Sequence, residues 1–540
     1  MRSQMAPRMK PVTADVMLVN GRVLTMAGDA VAAVAVRGDR VLAVGGEREL
    51  AALRGPRTAI VDLGGRLALP GFTDSHVHLR ALGGMLSRVN LERARTLAAA
   101  LRQVAARARR VPAGQWITGG GFDKNRWGDE FPDRRDLDQA APHHPVLLHS
   151  RDGHSVWVNS AALRICGIGR DTTAPAGGVI LRDAAGEPTG VLQEKAAALV
   201  YSCRAFDDRG GGRDELLAGL RALVRQGVTS VHAMAETETL GDLQALREKG
   251  QLPLRVTLYR PAATLDALIG AGVRSGIGDE WLRVGGVKLL VDGTLGSQTA
   301  WLFQPYEIGS AYGVPVLYGG DLRDLVRRAS EAGLACAVHA IGDRANAEAL
   351  EALEQATGQE GMSRPALPHR IEHAQLVRPQ DLPRFARLGV VASMQPCHIL
   401  GDIDSAERYW GPRSRWAYPI RSLMKAGASV VFGSDAPVET ADPMWGIYAA
   451  VRRQTRDGRP AKGWYRREEG VSTMAALRAY TVAPAKATGE GAFKGKLAPG
   501  YLADIVVLSE DLSRVRPSRL MKPRVDMVLV GGRVRYRRAR

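Results

Sequence analysis

Between about residues 69 and 486, short apolar runs alternate with Ala-, Leu- and Arg-rich stretches at helical spacing. The runs 228–231, 284–291, 334–340 and 430–433 read as buried strands, and 321–332 has helical composition ahead of one of them. Alternation of strand and helix predicts a parallel sheet, and this stretch is long enough for a closed (β/α)8 TIM-type barrel with insertions. One candidate insertion, near 114–209, is rich in Trp, Asp, His and Gly and poorly periodic.

The two ends follow a different pattern and resemble each other. Asp-Val-Met-Leu-Val-Asn-Gly-Arg-Val (15–23) matches Asp-Met-Val-Leu-Val-Gly-Gly-Arg-Val (526–534). Each reads as strand, tight Gly turn, strand, a hairpin at either end. Further short strands are predicted at 32–36, 40–44, 58–62 and 504–508. The expected class is therefore α/β: a barrel over 69–486, plus a small β-sandwich built from both chain termini, 12–68 and 487–540.

Composition narrows the picture. The chain has 540 residues, 45% hydrophobic and 24% charged, as an ordinary globular protein does. The net charge of +18 raises the question of an anionic partner. No base-reading module is recognisable, and basic residues are not interleaved with aromatics, so no nucleic acid partner is expected. Cys166, Cys203, Cys336 and Cys397 lie far apart. That spacing argues against a cysteine zinc site or a disulfide framework and suits a reducing compartment. No apolar stretch follows the basic start, and none is long enough to span a membrane. A cytoplasmic location is expected.

The chemistry gathers at strand ends. His76 and His78 are spaced i and i+2, which places both imidazoles on one face of a strand. Alone, such a pair is more often two polar residues on an exposed face. Lys288, however, interrupts the apolar run Val-Lys-Leu-Leu-Val (287–291), and a buried lysine is costly unless paired or modified. His339, His373 and Asp435 each end an apolar run. In a barrel the C-terminal strand ends converge on the face where active sites lie, so these runs would meet in one metal site.

The motifs Pro-Gly-Phe-Thr-Asp-Ser-His-Val-His (70–78), Val-Lys-Leu-Leu-Val-Asp-Gly-Thr-Leu-Gly-Ser (287–297), Arg-Ile-Glu-His-Ala-Gln (370–375) and Gly-Ser-Asp-Ala-Pro-Val (433–438) carry a resemblance. So do Gly-Gly-Gly-Phe-Asp (119–123), His-Ser-Val-Trp-Val-Asn-Ser (154–160), Ser-Met-Gln-Pro (393–396) and Tyr-Thr-Val-Ala-Pro-Ala (480–485). Over nearly its whole length the chain resembles the amidohydrolase superfamily, in the amidohydrolase 3 group of YtcJ-like and N-substituted formamide deformylase-like proteins. The resemblance implies His76 and His78 as ligands of a more buried metal and His339 and His373 as ligands of a second. It implies Lys288 as a bridging carbamate, and Asp435 as both ligand and catalytic proton shuttle. Mixed N and O donors suit zinc best, as one or two ions, with manganese, iron or nickel as alternatives.

The reaction implied is hydrolysis of an amide-type C–N bond in a small molecule by metal-activated water. A deaminase, and an esterase or lactonase, are the alternatives within the superfamily; a non-catalytic binding protein on the same fold is the alternative outside enzymes. Lys288 and the His-Ala-Ile-Gly-Asp sequence (339–343) favour the amide. For the substrate pocket the insertion offers Trp116, Asp123, His154 and Trp157, with Phe122 and Trp127 nearby. His232 and His398 are candidates for supporting the ligands. A homodimer is a family-level expectation.

Overall fold

The computed structural model describes residues 12–91, 94–124, 127, 130–150, 155–175, 178–203, 212–234, 239–296, 298–358 and 365–539. Eight strands form a ring in chain order: β1 Phe72–Val77, β2 Val228–Met234, β3 Arg255–Pro261, β4 Leu282–Leu290, β5 Ala335–Ala340, β6 Arg370–His373, β7 Val391–Met394 and β8 Val430–Phe432. Each neighbouring pair is parallel. β8 returns to β1 through the bridge Val77–Ala436 and two backbone bonds. Asp435 N–H donates to His76 O at 2.7 Å, and His78 N–H donates to Ala436 O at 3.0 Å. The ring therefore closes beside three of the predicted metal ligands.

Barrel strands are covered on both faces, which is why they read as apolar runs rather than as alternation. Every residue of β1, β2, β5, β6, β7 and β8 is buried. The helix before β5, Gly319–Glu331, buries Leu322, Val326, Ala329 and Ser330, the spacing of a single helical stripe. Register then stacks the polar interruptions. Lys288, Ala337 and Arg370 are partners across β4, β5 and β6, and His339, Glu372 and Ser393 are partners across β5, β6 and β7.

The β-sandwich is built from both termini. One sheet orders Arg40–Gly45, Ala33–Arg37, Val16–Val19 and Ala59–Asp62; the other orders Arg22–Val23, Leu67–Pro70, Ile505–Leu508, Val525–Val530 and Arg533–Arg537. Leu18, Val34 and Val36 of the first sheet share one core with Ile505, Val507 and Leu529 of the second.

Here one expectation fails. The C-terminal repeat is a hairpin: Val525–Val530 and Arg533–Arg537 pair antiparallel across Gly531 (φ 56°) and Gly532 (φ 70°), two successive left-handed residues, as a primed turn demands. The N-terminal repeat is not. Val16–Val19 pairs with Ala33–Arg37 and Ala59–Asp62, whereas Arg22–Val23 pairs with Leu67–Pro70 in the opposite sheet. Only Asn20 is left-handed there (φ 57°), so the chain turns a corner instead of folding back. The corner lets Leu18 and Val23, both fully buried, enter the common core from different sheets.

A second compact unit, Leu82–Gly219, begins earlier and ends later than the insertion read from composition. It is not irregular. It carries a six-stranded mixed sheet ordered Gly178–Arg182, Pro188–Glu194, Ser155–Val158, Val146–Ser150, Ile117–Phe122 and Val89–Asn90. Two apolar clusters pack within it, one around Leu148 and Trp157 and one around Leu147 and Val158. Glycines at 119–121 and the mixed strand directions blur its periodicity in the sequence. Among the described residues no helix is long and apolar enough to cross a membrane.

Candidate metal centre

His76 is next to last in β1, His373 ends β6, and Asp435 follows β8. One donor atom from each of these three buried residues lies within 4.8 Å of the others. His76 Nε2 stands 3.4 Å from Asp435 Oδ1, and His78 Nε2 stands 3.2 Å from the same oxygen. The other carboxylate oxygen, Oδ2, is 3.5 Å from His398 Nε2. The His339 and His373 rings meet at 4.5 Å between centroids, and those of His76 and His373 at 5.0 Å.

The backbone is bent to achieve this. His373 (φ 71°), Ala374 (φ 42°) and Asp435 (φ 60°) are left-handed non-glycine residues, a conformation that persists only where surrounding structure enforces it. On a regular strand His373 and its neighbour Glu372 would point to opposite faces. The left-handed turn at His373 brings its ring against His339 and His76 while Glu372 also reaches His76.

Beneath the cluster lies a buried polar floor. Glu372 Oε2 is 2.6 Å from His76 Nδ1. Arg370 donates through Nε to Glu372 Oε1 at 2.5 Å and through Nη2 to Ser75 O and Ser393 Oγ at 2.6 and 2.5 Å. Its Nη1 lies 2.9 Å from His232 Nδ1, which accepts. Asp74 joins β1 to β8: its carboxylate accepts from Ser434 N–H at 2.9 Å, Ser434 Oγ at 2.5 Å and His76 N–H at 3.2 Å. Asp292 takes three backbone N–H bonds, from Trp301, Ile341 and Gly342, and so holds the loop after β5.

Charge follows from burial and neighbours. Burial pushes His76 down to about 4 and His339 to about 3, with the Lys288 ammonium reinforcing both. Burial, and then His339, hold His373 well below the usual histidine range. All three imidazoles are therefore neutral, the form that offers a lone pair. Burial opposes ionisation of Asp435, but its histidine neighbours outweigh it, hydrogen bonds from His398 and His78 among them, and the carboxyl is held well below the usual range. Burial lowers Lys288 to about 8, against the pull of Glu372 and Asp435. Burial raises Asp74 to about 6 and Asp292 to about 7.

The donor set fits a divalent metal ion. His76 Nε2 and His373 Nδ1 are buried and have no hydrogen-bond partner. Native proteins rarely leave buried polar nitrogens in that state, and a carboxylate oxygen beside two such nitrogens is a mixed N/O ligand set. The tightest grouping is His76, His373 and Asp435. His78 is about one-third exposed at the edge of it. His339 Nε2 donates to Gly293 O at 3.1 Å, which leaves Nδ1 as its open donor. Lys288 is half-buried and electrostatically coupled to Glu372 and Asp435.

Outside the centre the predictions fare unevenly. His398 lies 3.5 Å from Asp435, and His232 accepts from Arg370 at 2.9 Å. Trp157 is a core residue of the Leu82–Gly219 unit: fully buried, packed edge-on against Phe122 and Trp127, and donating Nε1–H to Asp133 O at 3.1 Å. Its bulk and apolar character suit that interior. Trp116 packs half-buried against the Leu147 cluster of that unit, and Asp123 is half-buried. His154 lies outside the described residues. Sequence reasoning missed Arg370, Glu372, Asp74 and Asp292 as site residues. The signal for the first two was present: charges at i and i+2 within a strand otherwise buried throughout.

The profile of the Amidohydrolase family matches residues 59–536. Protein LONG AFTER FAR-RED 3 of Arabidopsis thaliana is 33% identical, over 97% of this chain and 92% of its own length. YtcJ of Bacillus subtilis (strain 168) is 32% identical, over 90% of this chain and 92% of its own. N-substituted formamide deformylase of Arthrobacter pascens is 29% identical, over 97% and 98%. The crystal structure of an uncharacterized metal-dependent hydrolase from Pyrococcus furiosus is similar at a TM-score of 0.73 and 30% identity, covering 92% of this chain and 100% of that one.

Proposed function

The chain belongs to the amidohydrolase family and is a metal-dependent hydrolase of that superfamily; on this premise we propose that it cleaves an amide-type C–N bond in a small molecule. The bond class is supported by the relative from Arthrobacter pascens, whose name specifies an N-substituted formamide. The observation that carries the reading is the placement of Asp435. One oxygen faces the His76 and His78 imidazoles and the other faces His398, at the C-terminal end of the barrel.

A divalent ion, zinc on the chemistry of these donors, supplies Lewis acidity toward the carbonyl and lowers the pKa of water. His76, His373 and Asp435 would hold it. His78, His339 and Lys288, the last as a carbamate, would complete a two-ion set. Asp435 takes the proton of the attacking water and delivers it to the departing nitrogen. His398, 3.5 Å from Oδ2, steadies the ionised carboxylate before it takes the proton and again after it has given it up. The four free cysteines fit a reducing, cytoplasmic setting.

The test is Asp435→Asn assayed on N-formyl, N-acyl and cyclic amides after zinc loading. Turnover should fall by about 10²–10⁴-fold, the usual contribution of a proton-transfer group. Unchanged turnover in this variant rejects the assignment. Ammonia released from aminopurines, or ester cleavage without amide cleavage, replaces the bond class.

A further inference from the structure

A cavity of about 260 Å³ opens beside Trp281, the residue before β4, and is lined by the C-terminal hairpin. Three guanidinium groups approach the Trp281 ring: Arg255 at 4.6 Å, Arg535 at 5.6 Å and Arg247 at 5.9 Å from its centroid. Two of them are neutralised. Arg255 pairs with Asp504 at 2.7 Å, and Arg247 pairs with Asp279 at 2.7 Å. Among the described residues neither Arg533 nor Arg535 has an ion pair, and the charges that act on Arg535 are those of Arg533 and Arg255.

Arg533 and Arg535 lie on the last strand, Arg535 at a bulge between Val534 and Tyr536, and both line the cavity. The Arg535 Nε–H is buried and has no acceptor, a state that native proteins rarely leave unfilled. Burial and the charges of Arg533 and Arg255 make the protonated Arg535 harder to hold, as expected for a cation lacking its counter-charge. The one carboxylate lining the cavity, Asp39, is half exposed and lies 3.6 Å from Arg40. The backbone contributes room: Gly531 runs left-handed (φ 56°) against the Trp281 edge, where a Cβ would come within 3.2 Å of the ring.

We propose that this cavity binds a small phosphate-class oxyanion, held by Arg533 and Arg535 above Trp281 and separate from the metal centre. Guanidinium forks match the geometry of phosphate oxygens and present several N–H donors at once. Such an anion would supply the missing acceptor at Arg535 and offset part of the excess positive charge that the hydrolytic site leaves unexplained.

Calorimetric titration of the intact protein with pyrophosphate and with phenyl phosphate, at constant ionic strength, tests this. Saturable one-to-one binding is expected, accompanied by a change in tryptophan fluorescence that Trp281→Phe removes. Arg535→Gln should weaken binding roughly tenfold, the loss of one charge-assisted bond. Arg535→Lys, which keeps the charge and the fold but not the fork, should weaken it measurably too. Arg48→Gln removes the same charge from an exposed position elsewhere and should change nothing. No binding by either probe overturns the proposal. Equal weakening by Arg48→Gln reduces it to diffuse attraction, and binding of duplex DNA without binding of either small anion replaces it.

Discussion

Glu372 and His76 are joined by a 2.6 Å contact between two side chains that solvent does not reach. An ionised carboxylate only accepts, so His76 Nδ1 carries the proton and Nε2 presents its lone pair toward Asp435. Burial raises the cost of charging Glu372, but Arg370 and His76 overcome it and hold the carboxyl well below its usual range. The tautomer of His76 is thus set by a residue of β6, which β7 and β8 separate from β1 in the ring.

Replacing Glu372 with Gln should therefore weaken metal binding by about 10–100-fold, as loss of an orienting partner does. Competition against a chromophoric zinc chelator measures this directly. Glu372→Ala should do more harm, because Arg370 would remain buried and unpaired at a cost of about 3–5 kcal/mol. Wild-type zinc affinity in Glu372→Gln would remove the orienting role.

Gly433 follows β8 and touches β1 more closely than any side chain allows. A Cβ there would lie 2.4 Å from His76 N and 3.0 Å from its Cα, which are backbone atoms that cannot rotate away. Gly433→Ala should force the two strands apart, costing about 1–3 kcal/mol by overpacking and disturbing both His76 and Asp435. Gly28→Ala, with nothing within 4 Å of the new methyl, should be neutral. Chemical denaturation of the two variants side by side decides the matter.

Arg255 opens β3 and reaches Asp504 of the β-sandwich through Nε at 2.7 Å and Nη2 at 3.1 Å; Gly531 N–H adds a 2.8 Å bond to the same carboxylate. Asp504→Ala leaves that guanidinium buried and alone, and should destabilise the protein by about 3–5 kcal/mol. The double variant Arg255→Met, Asp504→Leu should recover most of the loss. A urea double-mutant cycle checks both statements.

His369 precedes β6 and accepts Cys336 N–H at Nδ1, 3.0 Å away. Burial depresses its pKa from 6.5 to about 4. The folded pKa lies below the unfolded one, so the unfolded chain binds more protons between those values, and stability falls as the pH drops through that window. His369→Asn keeps an acceptor and removes the titration. Its stability should change by about 2 kcal/mol less than that of the wild type between pH 7 and pH 5. Identical pH slopes for the two proteins would count against this assignment.

Much of the fold was legible because the barrel buries its strands on both faces. That condition writes each strand as an apolar run, and any polar residue inside one then stands out. Lys288, His339, His373 and Asp435 stand out as candidates in this way, and His76 and His78 by their two-residue spacing. The Arg370–Glu372 pair met the same criterion and was passed over, because an ion pair within one strand reads as easily as solvated surface.

The terminal repeat marks where local sequence stops deciding. Asn20-Gly21 and Gly531-Gly532 sit in nearly identical nine-residue contexts, yet one turns a corner between sheets and the other closes a hairpin. The difference is which partners the following strand meets, and those lie far away in the chain. In the Leu82–Gly219 unit, likewise, Trp157 looked like a pocket residue until the sheet that buries it was in view.

The sequence by itself determined which side chains end the barrel strands, because burial and strand periodicity are properties of neighbouring residues. Only the tertiary structure decided how those side chains are held. The Glu372–His76 contact spans 296 residues, and the Ser434–Asp74 bond spans 360. Both arise from closing the ring, and the left-handed turn that swings His373 into the cluster is enforced by packing from strands that no local pattern specifies.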